Sequence, residues 1–133
     1  MTKLIINEDC GNAPKKQYIK NFLIAIANAN IEAVAGMLDQ DVRLDIPGQR
    51  SLHGIDSVRR LLISDVGDGE ALELDIHNIL SHGSRCAANG VLKHKDGREV
   101  SFCGVYVFSS HSKDAKLTDI TVYSIVSKSV TKK

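Results

Sequence analysis

The chain has no tryptophan, two prolines and three cysteines, and aromatic residues make up only 5% of it. Each shortage removes a class of protein. Cys10, Cys86 and Cys103 are too few and too scattered for a disulfide framework, and no two of them make a Cys-x-x-Cys zinc pair. The histidines (His53, His77, His82, His94 and His111) contain no i, i+4 pair of the kind that holds a metal on a helix. The sequence therefore calls for no metal and no cofactor. Charge of one sign is missing too: 17 basic residues face 16 acidic ones, a formal net charge of +1. A nucleic-acid partner asks for a basic face or stripe, which this balance does not supply. No apolar run approaches the roughly 20 residues of a membrane span. Leu4-Ile5-Ile6 is too short for a signal-peptide core, and Asn7-Glu8-Asp9 interrupts it. These absences leave a cytoplasmic globular protein as the expectation.

The residues that are present suit one folded domain. The chain is 133 residues long, 43% hydrophobic and 25% charged, enough for one core and too apolar for disorder. We expect a lead over residues 1–13, with a short strand at Leu4 to Ile6 as one reading of it. A single domain follows over 14–127, then a basic tail over 128–133. Pro14 suits the first turn of a helix, where its missing N–H costs nothing. Tyr18, Ile19, Phe22, Leu23 and Ile26 then recur at helical spacing. Asn28-Ala29-Asn30 stops this helix. A second, short one carries Ile31, Val34, Ala35 and Leu38. Asp41 to Ile46 alternates as a half-buried strand and breaks at Pro47-Gly48. After Gly54 a third helix buries Ile55, Val58, Leu61 and Leu62 and is closed by Gly67-Asp68-Gly69.

The remainder reads as strand. Leu72, Leu74, Ile76, Asn78 and Leu80 share one parity. Strands from about Ser84 to His94 and Arg98 to Ser109 form a hairpin across Lys95-Asp96-Gly97, and a last strand runs from about Lys116 to Ser127. A three-residue loop with Gly97 left-handed pairs Leu92 with Val100, Gly90 with Phe102, Ala88 with Gly104 and Cys86 with Tyr106. That register makes one face apolar, small or aromatic. It also puts Cys86 and Cys103 on opposite faces, out of disulfide reach. The expected fold is α+β: three N-terminal helices packed on a curved antiparallel sheet, a cone-shaped roll of the cystatin-like kind.

This order, with the stretch Asp41-Val-Arg-Leu-Asp-Ile-Pro-Gly48 through Leu52-His-Gly-Ile55 and the late Lys116-Leu-Thr-Asp-Ile120, resembles the nuclear transport factor two-like superfamily. Within it the SnoaL-like group of polyketide-cyclase relatives is the nearest in pattern. The resemblance implies a pocket, a homodimer, and a function drawn from isomerases, dehydratases, hydrolases, cyclases and non-catalytic binding subunits. It does not choose among them. Steroid isomerases of this fold use a tyrosine on the first helix, an aspartate on the first main strand and a second acid on a later strand. Those positions fall here on Phe22, Ile46 and Gly104. Asp45 lies one residue from the base position, but alternation turns it to the other face. Cyclases place an acid on the late strand, yet no Asp or Glu occurs between Glu99 and Asp114. No catalytic residue is assigned on these grounds.

The expected ligand pocket comprises Tyr18, Phe22, Ile46, Asn78, Gly104 and Tyr106, around a hydrophobic small molecule. Small residues at Ala88, Gly90 and Gly104 are expected to leave space there. The alternative is that helices fill it. Tyr106 is either a hydrogen-bond donor to a ligand or tied to backbone. Asn78 either orients a ligand or marks a bulge. His53 is read as a loop histidine near the mouth. Val105, Val107 and Tyr123 make the sheet's outer face apolar, which a homodimer through that face would cover. Three functions remain in view: an enzyme of the cyclase, isomerase or lyase kind, a non-catalytic binding protein, and a dimeric interaction module.

Overall fold

A computed structural model describes residues 2–7, 11, 13–65, 69–112 and 114–128. Cys10, the Gly67-Asp68 helix stop and tail residues 129–133 lie outside the described residues. The elements in chain order are β1 (Lys3–Ile6), α1 (Pro14–Ala27), α2 (Ile31–Gly36), β2 (Leu38–Ile46), β3 (Arg50–His53), α3 (Ile55–Asp65), β4 (Glu73–His82), β5 (Arg85–Lys93), β6 (Glu99–Phe108) and β7 (Leu117–Lys128).

Local chemistry explains the helix boundaries. Pro14 opens α1, which buries Ile19, Phe22 and Leu23. At its end Ala29 turns left-handed, with φ of 59°, while the Asn28 and Asn30 N–H groups donate back to the Ile24 and Ala25 carbonyls. The Asn30 side chain then caps α2 by accepting the Ala33 N–H at 3.2 Å. Leu38, expected on α2, instead begins β2, since the helix stops at Gly36. Arg59 on α3 reaches Glu32 on α2 at 3.3 Å and ties the two helices across the surface.

All seven strands form one sheet in the order β1-β4-β5-β6-β7-β2-β3. Its centre is antiparallel, but the joins β1–β4 and β2–β7 are parallel. This makes the sheet mixed rather than wholly antiparallel. Parallel neighbours need a crossover rather than a hairpin, and α1 and α2 fall between β1 and β4 in the chain while α3 falls between β2 and β7. The β5–β6 register follows the three-residue loop: Leu92 opposes Val100, Gly90 opposes Phe102, Ala88 opposes Gly104 and Cys86 opposes Tyr106. Gly97 takes a φ of 95°, which a side chain would resist.

β4 departs from simple alternation. A bulge between Ile76 and Asn78 inserts one residue and flips the faces. Leu74 and Ile76 are buried, then Ile79 is buried, so Asn78 and Leu80 turn outward. Leu72, just before the strand, is exposed as well. β3 stands where a loop was expected. Arg50–His53 pairs antiparallel with Arg43–Ile46, and its single apolar residue, Leu52, gives too little alternation to announce a strand.

Candidate apolar site

The helices do not fill the cone. A cavity of about 210 Å³ remains between α1, α3 and the concave face of the sheet. Phe22, Ile46, Leu62, Phe102, Tyr106 and Val122 are among its walls. Among the described residues the wall carries no Asp, Glu, His, Lys, Arg or Cys; its polar side chains are those of Tyr106 and Ser124.

Tyr106 is 1% exposed. Its ring meets Phe22 edge-on, with centroids 6.1 Å apart at 75°. Among the described residues none hydrogen-bonds its hydroxyl. Burial raises the phenol's pKa far above its ordinary value, so the group is a neutral donor at physiological pH. The phenol leans back over Gly104, where a Cβ would collide with it. Ser124 is partly occupied, since its hydroxyl accepts from the Gln49 side chain at 3.3 Å.

Three of the expected pocket residues, Phe22, Ile46 and Tyr106, line this cavity. Gly104 stands behind Tyr106 rather than on open space. Tyr18 does not reach it. One turn earlier on α1, its hydroxyl donates to the Met37 carbonyl at 2.7 Å and its ring packs edge-on against Phe108. Asn78 is outside because of the bulge, and its amide donates to Asn89 at 2.9 Å on the exposed face. The expected space over the small residues is also absent. A Cβ on Gly90 would strike the Asp75 carbonyl of β4, and the room over Gly104 holds Tyr106. Large aliphatic side chains enclose the cavity instead.

His53 lies exposed on β3, on the rim of a shallow hollow with Arg43 and Asp119, and does not line the cavity. Asp45 is exposed and accepts the Ser51 hydroxyl at 2.9 Å, as strand alternation required. Among the described residues no three His, Cys, Asp or Glu side chains cluster as metal ligands, and no helix is long and apolar enough to cross a membrane.

Val122 and Ser124 were legible but unread. They oppose Gly104 and Phe102 on β7 and share the parity of buried Ile120. Above them the cavity opens into a wider polar mouth of about 740 Å³ that shares Ile46, Leu62, Leu92, Val100 and Ser124 with it. Arg50, Lys95 and Arg98 stand in this mouth.

The SnoaL-like domain profile matches residues 19–120. The chain belongs to the SnoaL-like domain family. No curated protein matches it in sequence. Among solved structures, an NTF2-like protein of unknown function from Burkholderia xenovorans LB400 superposes with a TM-score of 0.74 at 15% identity, over 91% of this chain and 90% of that one. An epoxide hydrolase of the LEH-like kind from M. tuberculosis gives 0.69 at 22% identity, over 85% and 84%. A ketosteroid isomerase candidate from Kribbella flavida DSM 17836 gives 0.64 at 15%, over 90% and 84%. At such identities the likeness is one of fold, and this SnoaL-like domain is an NTF2-like α+β roll.

Proposed function

We propose that this SnoaL-like domain binds a small hydrophobic molecule carrying a hydrogen-bond acceptor, and holds it without acid–base catalysis. The observation behind this reading is the cavity wall, whose sole ionisable side chain among the described residues is a tyrosine kept neutral by burial. General acid–base catalysis needs a group that exchanges a proton near neutral pH, and the wall has none. An apolar chamber of about 150 Å³ holds benzene, so 210 Å³ suits a somewhat larger ring system. The Tyr106 hydroxyl would meet a carbonyl inside it.

A second reading, an enzyme of the polyketide cyclase, isomerase or lyase kind, draws on that same hydroxyl. A donor without a protein partner in a dry site can stabilise a developing oxyanion. The two readings separate on one ketone. α-Tetralone titrated calorimetrically should bind, and Tyr106→Phe should weaken it by roughly fivefold, the worth of one neutral hydrogen bond. Val122→Phe, which fills the chamber, should abolish binding while the circular dichroism spectrum persists. No binding to the folded wild type overturns the proposal. NMR in D₂O that finds protein-accelerated exchange of the ketone's α-protons favours the enzyme.

A second copy of the chain is the partner we propose for the outer sheet face. Leu80, Ala87, Val105 and Thr121 stand side by side there, and so do Asn78, Asn89, Cys103 and Tyr123, with no charge in either row. An uncharged patch of this kind suits a self-complementary contact. A cytoplasmic setting belongs to the same proposal, because Cys86 and Cys103 are both free thiols.

A further inference from the structure

The inward parity of β6 leads past the end of the strand to a charge. It runs Tyr106, Gly104, Phe102 and Val100, from the floor of the cavity towards its mouth, and the next residue of that parity is Arg98, one position before β6. The Arg98 Nε is buried and has no hydrogen-bond partner. Among the described residues nothing pairs with its guanidinium, although its backbone N–H donates to Asp96 at 2.9 Å. Across the mouth, Arg50 sits on β3 opposite Ile46, a residue of the cavity wall. Lys95 adds a third cation. Among the described residues two acids share the mouth, and both are engaged: Asp96 accepts that backbone N–H, and Glu70 has an interaction of its own.

Nε is sealed from solvent, but the terminal guanidinium nitrogens keep accessible surface on the mouth, and an unpaired donor there is open to an acceptor from outside the chain. The planar guanidinium fork matches a carboxylate and takes it in two parallel hydrogen bonds. The chamber below takes only apolar surface.

We infer that the ligand is an amphipathic carboxylate, with its apolar body in the chamber and its head group on Arg98, assisted by Arg50. This rests on the chamber being a ligand site, and adds the charge of what enters. The geometry accounts for how an apolar ligand is kept in one orientation. Its charged end cannot enter a wall without ions, and its apolar end has no reason to stay in the wet mouth.

Calorimetric titration of the whole chain at pH 8 with octanoate and with octanamide tests the charge alone, because the two differ little in shape. Octanoate should bind about tenfold more tightly, the usual advantage of a charge-assisted hydrogen bond at a partly hydrated site. The gap should narrow as ionic strength rises. Arg98→Met should remove most of the octanoate advantage, with the remainder coming from Arg50, and leave octanamide nearly unchanged. Arg98→Lys, which keeps the charge and loses the fork, should restore part of the difference. Octanamide binding as well as octanoate does would overturn the carboxylate and leave the chamber reading intact. Failure of both to bind the folded protein would overturn both. An undiminished octanoate preference in a folded Arg98→Met would also overturn the assignment to Arg98.

Discussion

The two faces of β7 teach how one strand serves two purposes. Ile120 and Ile125 are the same residue on the same strand, five positions apart, yet one is 4% exposed and the other 72%. Ile120 opposes Tyr106 and lines the cavity; Ile125 opposes Ser101 on the far side. Period-two alternation alone separates them. The inner face gathers the residues that see the chamber, while the outer face is uncharged across two strand-to-strand rows, and no described helix packs on it. Side-chain chemistry is thus shared between the faces, and the surroundings differ.

The comparison is broken most severely by truncating both isoleucines. Ile120→Ala removes packing from a closed core and should cost about 2–5 kcal/mol of unfolding free energy in urea. Ile125→Ala should cost under about 0.5 kcal/mol at low protein concentration, where the monomer is what unfolds. If the outer face joins two copies, the Ile125→Ala deficit should grow with protein concentration, because only the associated state loses a contact. A deficit equally large and concentration-independent for both would mean that the faces are not energetically distinct.

pH gives a sharper and smaller contrast. The folded pKa of Tyr106 is raised by burial, with lesser contributions from Cys103 and Cys86. In the unfolded chain the phenol ionises near its ordinary value of about 10. Stability from this group is therefore fully present below about pH 10 and is lost as pH climbs above it, because only the unfolded state sheds the proton. The loss should be on the order of 1 kcal/mol by pH 11. Tyr106→Phe, measured over the same range, should decline less by that amount. Parallel declines would show that the phenol ionises as readily inside the fold as outside it.

Local chemistry carried most of the fold in the sequence. Helix ends were marked by Pro14 and by Asn28-Ala29-Asn30, and the β5–β6 register by Gly97 together with the demand for one apolar face. What stayed hidden depends on groups distant in the chain. Nothing in Ile76-His77-Asn78 announces a bulge, so Asn78 and Leu80 were assigned to the wrong face of β4. Gly90 and Gly104 looked like empty space because the atoms that occupy it belong to the β4 backbone and to Tyr106. Tyr106 itself was legible, since register put it on the inner face. Arg98 shares that parity, but a charge beside a hairpin loop reads as solvated surface until the walls around it are known. The parallel joins of β1 and β2 required the whole topology.

The smallest expected effect tests what holds the bulge that separates the faces of β4. The Asn78 amide donates to Asn89 across the strands at 2.9 Å, but the pair is exposed, and water replaces such a bond at little net cost. On either side Ile76 and Ile79 are both 0% exposed. Without the extra residue, strict alternation would turn Ile79 into solvent and bring Asn78 into the core. Burial of Ile79 is worth more than the amide bond, so the bulge should survive its loss. Asn78→Ala should then shift stability by no more than about 0.5 kcal/mol, with the urea midpoint nearly unchanged and the Ile79 amide still protected from hydrogen exchange. A loss above about 1 kcal/mol, together with fast exchange at Ile79, would make the amide pair the element that sets the register. The burial pattern of β4 would then be the consequence of a surface hydrogen bond rather than its cause.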